Sequence, residues 1–398
     1  MSIASRAIAG VPAACKSLRV LLALGPAVGG MAQHVASLVR GLDRTRFDVA
    51  LAGPQDDPAA EAARGCACAV HPVRFGASPL RMASAAIQLA ALMRRGSYDI
   101  VHAHGYSAAA AAALARRVTP RAKLVCTLHG FLTATTARPL TGRRTRFLLR
   151  LIARRAERIT MVSASLRDQF ADIPEVDAKL VVVPNGINLA AFSHPDPVRA
   201  RRQLGVPEGA PLVGMVGRLA AQKGPLDFVR AAAAVRRRVP DARFALIGEG
   251  PLRADVEALA RGLGLAECLL LAGHRDDAPF LTQAFDVAAV ASVSEGSSIT
   301  AMEAMAWARP VAATAVGGLR EVVEDGETGV LVPPGDPQAL GEAIASLVND
   351  PERARRLGEA GRRRVEREFS LARMIERTEE VYLAVAHGSS DRGTARCA

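Results

Sequence analysis

The chain has 398 residues, 50% of them hydrophobic, enough for two large domains that each bury a full core. Aromatic residues make up only 4%, which argues against stacking platforms for single-stranded nucleic acid. The formal net charge of +12 points to acidic partners, among them nucleotide phosphates and an anionic membrane face; with no aromatic and basic interleaving, no nucleic-acid partner is expected.

Met1–Cys15 is mildly apolar and interrupted by Gly10 and Pro12, and reads as a ragged leader rather than a signal peptide. From Leu18 the chain alternates apolar strands with helices. Strands are expected at Leu18–Leu24, Phe47–Ala52, Ile100–Ala103, Lys123–Leu128, Ile159–Val162 and Leu180–Val183. Helices are expected at Met31–Leu42, Leu80–Arg94, Ala108–Arg116 and Arg143–Arg158. Such alternation implies a parallel sheet covered on both faces. Residues 185–209, rich in Pro, Gly and charge, mark a boundary.

The rhythm then restarts, with strands at Leu212–Val216, Arg243–Ile247, Leu269–Leu271, Val287–Ala291, Val311–Ala313 and Val330–Val332. Helices Leu226–Arg238 and Leu252–Gly262 lie between the first of these, and an amphipathic helix over 370–386 ends the folded chain. The fold class is therefore α/β, with two Rossmann-like doubly wound domains facing a central cleft. The expected division is 1–190, 191–369, the helix 370–386 packed back on the first domain, and a disordered tail 387–398. A ligand belongs at the carboxyl ends of the strands. The six Cys show no CxxC spacing, so neither a zinc site nor a structural disulfide is expected, and a reducing cytoplasm fits. No apolar run reaches the roughly 18 residues that span a bilayer.

Two constellations carry chemistry. Ser294-Glu295-Gly296-Ser297-Ser298-Ile299 leaves a strand and opens a helix that holds Glu303. Glu295 and Glu303 are eight residues apart, close to two helical turns, so both face roughly one side. The backbone N–H groups at that helix start suit a phosphate. The second constellation is Val216-Gly217-Arg218-Leu219 followed by Gln222-Lys223-Gly224. A guanidinium and an ammonium can grip a diphosphate from two directions, and fixed cations lower the barrier to its departure. Only four of the 51 basic residues are Lys, which sets Lys223 apart. Ordinary loop and helix-face charge is the bland alternative for both constellations.

Taken together and in order, these pieces resemble the retaining glycosyltransferases of family 4, with the GT-B fold. The resemblance spans roughly Leu18 to Tyr382. It also includes Pro184-Asn185-Gly186-Ile187-Asn188, Gly248-Glu249-Gly250-Pro251-Leu252, Gly317-Gly318-Leu319-Arg320-Glu321 and Gly329-Val330-Leu331-Val332-Pro333. The resemblance implies that Arg218 and Lys223 bind the donor diphosphate, Glu303 the ribose and Glu295 the transferred sugar. The backbone at Ser297, Ser298 and Ile299 meets phosphate and sugar. It further implies an acceptor-binding first domain and a nucleotide-sugar-binding second one. Two departures stand out: Ala308, where many members carry Gly, is expected to affect packing, and Ser297 replaces an aromatic or apolar residue.

In the first half, Gly29-Gly30 lets backbone approach a phosphate at a helix start, and Gly30 is the candidate contact. His102, His104 and His129 end strands. By the resemblance His129 contacts the donor sugar or its phosphate, while His102 and His104 serve the loop. The catalytic set is thus Glu295, His129, Arg218 and Lys223. No metal and no cofactor is expected.

The resemblance implies transfer of a hexose-type sugar from a UDP- or GDP-sugar to a glycan or lipid-linked acceptor, in polysaccharide or glycolipid synthesis. The alternatives are a nucleotide-sugar epimerase on the same fold and a non-catalytic nucleotide-sugar binder. The helix Arg143–Arg158 interleaves Arg with Phe147, Leu148 and Ile152. It could rest on an anionic membrane, making a cytoplasmic enzyme peripheral at the inner face of the plasma membrane; a domain helix with a solvated face is the alternative.

Overall fold

The computed structural model describes residues 17–25, 30–131 and 143–388. The leader Met1–Cys15, Gly29 and positions 389–398 of the expected tail lie outside them.

The first sheet holds seven parallel strands: β1 (Leu18–Leu24), β2 (Phe47–Gly53), β3 (Val70–Pro72), β4 (Ile100–His104), β5 (Lys123–Leu128), β6 (Arg158–Met161) and β7 (Leu180–Val182). Their order is β3-β2-β1-β4-β5-β6-β7. β1 is central because its residues alternate between two cores. Val20, Leu22 and Leu24 enter one apolar cluster, while Leu21 and Ala23 enter the other. Val20 pairs with Val49 on one side and Ile100 on the other.

The second sheet holds β8 (Leu212–Val216), β9 (Arg243–Ile247), β10 (Leu269–Gly273), β11 (Val287–Val290), β12 (Val311–Thr314) and β13 (Gly329–Val332), in the order β10-β9-β8-β11-β12-β13. All its pairings are parallel. The strand order reverses beside β1 and again beside β8, and the crevices at those points are where ligands bind in such sheets.

Three differences from expectation have a visible cause. Helix Pro58–Gly65 was hidden because its buried residues are all Ala; Asp57 caps it by accepting from the N–H groups of Ala59 and Ala60. The basic helix stops at Arg155. Glu157 turns back to bond Arg116 and the Leu124 N–H, so Arg158 opens β6 instead. The boundary stretch also carries structure of its own. Asp196 caps a helix Pro197–Gln203. Phe192, Ala200 and Leu204 bury against the second domain, with Phe192 edge-on to Trp307.

The chain crosses between the lobes twice at one place. Ile187 N–H donates to Phe369 O and Leu371 N–H to Ile187 O. A Cβ on Gly186 would stand 2.4 Å from Ser370 O, so only glycine lets the two crossings touch. After this the final helix, Leu371–His387, lies against the first domain. Met374, Val381, Tyr382 and Val385 join the cluster that holds Val35, Leu38 and Phe47. Tyr382 is fully buried, with its hydroxyl 2.6 Å from His102 Nδ1. Glu379 accepts from the Asp43 N–H and from Arg46.

Candidate active site

The loop leaving β8 carries Gly217, Arg218 and Lys223. It closes in a short turn, Ala221–Lys223, and Gly224 then opens the helix Pro225–Arg238. Arg218 is exposed on this loop. The loop leaving the neighbouring strand β11 carries Ser292 to Glu295. Val293 N–H donates to Gln222 O, and Gln222 Nε2 donates to Ser294 O, so the two loops are held in register. That register brings Lys223 Nζ to 2.5 Å from Glu295 Oε2. Ser292 Oγ donates to the same carboxylate oxygen at 3.1 Å. Glu295 is buried, and both of these donors reach its Oε2.

The helix Ile299–Ala306 begins directly after. Ser298 caps it by accepting from the Ala301 N–H. Glu303 lies in its second turn, and burial pushes its carboxyl up to about 7. Ser297 and Ile299 are half-buried at the helix start. Across the seam, a Cβ on Gly30 would sit 3.2 Å from Ile299 Cδ1.

The same loop meets the first domain. A Cβ on Gly296 would lie 2.3 Å from His129 O and 3.0 Å from Gly130 Cα, so the absence of a side chain lets this backbone rest on the His129–Gly130 turn. From the other side Gly318 N–H donates to Glu295 O at 3.0 Å. Glu321 ties the lobes further: its two oxygens accept from the N–H groups of Ala164 and Ser165, at 2.8 and 2.9 Å.

His129 belongs to a group of four imidazoles at the carboxyl ends of β4 and β5. His104 Nδ1 is 3.2 Å from His129 Nε2. His34 stands edge-on to His129, with ring centroids 4.7 Å apart, and its Nδ1 is 2.9 Å from Asn185 Oδ1. His102 packs on His104 and is bonded on both sides, by Tyr382 Oη and Thr127 Oγ1. Burial holds His34 down to about 4 and His102 to about 3. His104 and His129 lie well below the ordinary value for the same first reason, with mutual repulsion added. These imidazoles are therefore neutral at pH 7, with His102 and His104 fully buried beneath the cleft.

The sequence marked nothing resembling a metal cage, yet one nitrogen from each of His34, His104 and His129 falls within 4.8 Å of the others. His34 had gone unmarked. Its signal was available, because it lies one turn into the helix that Gly30 opens. Asn185 and Glu321 stood inside matched motifs but had no assigned contact.

The structure thus brings together Lys223, Glu295, Gly296 and His129, with Gly30 beside Ile299. Arg218 shares the Lys223 loop but faces solvent. Glu303 lines a small cavity with Gln33, His34, Ser37, Asn185 and Ile299, beside the site. Ala308 has φ of 54°, so the departure at this position concerns the backbone, not only packing.

Two family models match the chain. The one described as Glycosyltransferase Family 4 covers residues 28–191, and that described as Glycosyl transferases group 1 covers residues 198–364. The 2-deoxystreptamine N-acetyl-D-glucosaminyltransferase of Streptomyces fradiae is 37% identical over 52% of this chain, and the match spans 51% of that relative, about half its length. The D-inositol 3-phosphate glycosyltransferase of Geodermatophilus obscurus is 34% identical over 73% of this chain and 67% of its own. Among solved structures, Anabaena HepE in complex with UDP superposes with a TM-score of 0.79 at 22% identity, covering 92% of this chain and all of that one. The two parallel sheets, the order of the motifs and these matches lead to one conclusion: the chain belongs to glycosyltransferase family 4, with the GT-B fold.

Proposed function

We propose that the chain is a retaining glycosyltransferase that moves a hexose-type sugar from a UDP- or GDP-sugar to a glycan or lipid-linked acceptor in cell-surface polysaccharide or glycolipid synthesis. The observation that carries this reading is the Lys223–Glu295 pair, 2.5 Å apart, held where two sheet-end loops meet the His129 turn. A donor placed there would present its diphosphate to Lys223 and Arg218, and its sugar to Glu295 and His129. The backbone at Ser297, Ser298 and Ile299 lies at a helix start suited to phosphate. Glu303 would take the ribose hydroxyls, and Gly30 the closest approach from the first domain.

In this mechanism the bond between the anomeric carbon and the β-phosphate oxygen loosens first. Both electrons leave with the diphosphate, and Lys223 and Arg218 absorb the charge that develops. The acceptor hydroxyl attacks the oxocarbenium-like carbon from the face the phosphate leaves, and its proton passes to the departing phosphate. Configuration is retained without a protein nucleophile. Fixed side-chain cations supply the electrostatics, so the mechanism needs neither a metal nor a cofactor.

The names of the relatives support the donor class: HepE was solved with UDP, and a Mycolicibacterium smegmatis relative is a GDP-mannose-dependent mannosyltransferase acting on a phosphatidylinositol monomannoside. The exposed Phe147 on the Arg-rich helix, with Arg146 and Arg150 beside it, suits a peripheral site on the anionic inner face of the plasma membrane, facing the cytoplasm. No helix among the described residues is long and apolar enough to cross a membrane.

The test is product stereochemistry. The enzyme is incubated with α-linked UDP- and GDP-sugars and an acceptor panel, and the anomeric proton of the product is read by NMR. An α-linked product supports the reading. A β-linked product, or donor conversion that proceeds without any acceptor, overturns it.

A further inference from the structure

At the opposite end of the first sheet from the cleft, β5 and β6 begin with Lys123 and Arg158. These two strand starts, the carboxyl ends of the helices Tyr106–Ala115 and Arg143–Arg155, and the last turns of the final helix enclose a cavity of about 700 Å³. Six cations line it: Arg116, Lys123, Arg154, Arg155, Arg158 and Lys179. Two of the chain's four lysines are among them.

Glu157 is the single acid in this lining, and it is already engaged. Arg116 grips it through both terminal nitrogens, and the Leu124 N–H donates to it at 2.7 Å. Among the described residues no ion pair holds Lys123, Arg154, Arg155, Arg158 or Lys179. The carboxyl ends of two helices account in part for Arg116, Arg154 and Arg155, because helix dipoles attract cations there. Lys179 Nζ also caps the helix Arg143–Arg155, donating to Ala153 O at 2.7 Å, and Arg158 donates to Glu157 O; neither bond neutralises a charge, and Lys123 at its strand start is not explained by a helix end. Burial lowers the Lys179 ammonium below its ordinary value; Glu157 opposes this, while Arg116 and Arg158 add to it. The positive charge here exceeds what the protein itself neutralises.

We propose that this cavity is a second anion site, separate from the cleft, that binds a ligand carrying two or more phosphate groups. Its concave, multi-sided wall and net positive lining favour several charge-assisted hydrogen bonds at once. The ligand is either a soluble polyphosphate or the headgroup of an anionic lipid, which share this chemistry. The site lies at the amino ends of the strands, so it does not use the residues assigned to the donor.

The test uses the full chain with inorganic tripolyphosphate, titrated by calorimetry at low salt, together with flotation on vesicles containing phosphatidic acid. The wild type is expected to bind two equivalents of tripolyphosphate, one in the cleft and one at the rear. Lys223→Ala should weaken the first event by less than about tenfold and leave the second unchanged. The double variant Lys123→Gln/Arg155→Gln, checked for an unchanged melting temperature, should lose the second, with affinity there falling at least tenfold. Loss of vesicle flotation in the same double variant assigns the site to a lipid headgroup; flotation at wild-type levels alongside lost tripolyphosphate binding assigns it to a soluble phosphate. If the double variant binds both probes as the wild type does, the proposal is overturned.

Discussion

Lys223 Nζ stands 2.5 Å from Glu295 Oε2, although 72 positions separate the two residues in the chain. Each lies on a loop leaving one of the adjacent strands β8 and β11, so the reversal in strand order produces the contact. Without a donor, the carboxylate is the counter-charge of the ammonium. A bound diphosphate would share that ammonium, and Glu295 would be released toward sugar hydroxyls. In Glu295→Gln the ammonium keeps its charge and loses its internal partner. Free UDP or GDP is therefore expected to bind this variant at least as tightly as the wild type, while kcat falls at least 100-fold. Calorimetry and initial rates measure the two effects; a tenfold loss of nucleotide affinity would contradict the pairing argument.

Burial pushes the Glu303 carboxyl up to about 7, with no cation beside it among the described residues to favour the charged form. Once ionised, it accepts hydroxyl hydrogen bonds more strongly than the neutral acid does. Affinity for an intact nucleotide-sugar, whose diphosphate has no ionisation near neutrality, is expected to rise about fivefold between pH 6 and 8. That corresponds to about 1 kcal/mol for making a hydrogen bond charge-assisted. Glu303→Gln should flatten the profile. An unchanged slope in that variant would assign the titration to another group.

The four imidazoles beside the cleft, three of them buried, set the acid limit of the fold. Their folded pKa values lie below the unfolded value, so the unfolded chain takes up protons that the native one refuses. The stability they confer is complete above about pH 6.5 and declines as the pH falls toward 4, where His34 titrates. Each such group costs about 1.4 kcal/mol per pH unit in that window. Glu303 acts with the opposite sign, since its raised value favours the native state as the pH falls from 7 toward 4.5. Urea unfolding between pH 6.5 and 4.5 should show an acid limb shallower by about one proton in His34→Gln. An identical limb would mean that His34 is not held neutral.

Ala308 adopts φ of 54°, a conformation that costs a residue with a Cβ about 1–2 kcal/mol. Ala308→Gly removes that strain and gives back about 0.4–1 kcal/mol through the looser unfolded chain. The variant is expected to be more stable by up to about 1.6 kcal/mol, read as a shift of the unfolding midpoint. A loss of more than that would show that the Ala308 methyl group contributes packing that outweighs the strain.

The two-sheet architecture was legible because both halves are built from strands buried on two faces, which write continuous apolar runs such as Val20–Leu24 and Leu212–Val216. The two loops that hold Lys223 and Glu295 were marked in the sequence, and the structure joins those two residues; the roles of Glu295, Glu303, Arg218 and Lys223 rest on the resemblance. Contacts made across the lobes were not legible. His34 meets Asn185 across 151 positions, and Glu321 meets Ala164 across 157; no local periodicity encodes either. Helix Pro58–Gly65 escaped because alanine buries without the hydrophobic contrast that marks a face. The rear cavity escaped because its cations come from strand starts and helix ends scattered from Arg116 to Lys179.

The most direct measurement compares the wild type with Lys223→Ala under saturating nucleotide-sugar and acceptor. If Lys223 stabilises the departing diphosphate, kcat falls by about 30- to 1000-fold, roughly 2–4 kcal/mol of barrier, while donor affinity changes by less than about tenfold. A variant that turns over at the wild-type rate would contradict the account.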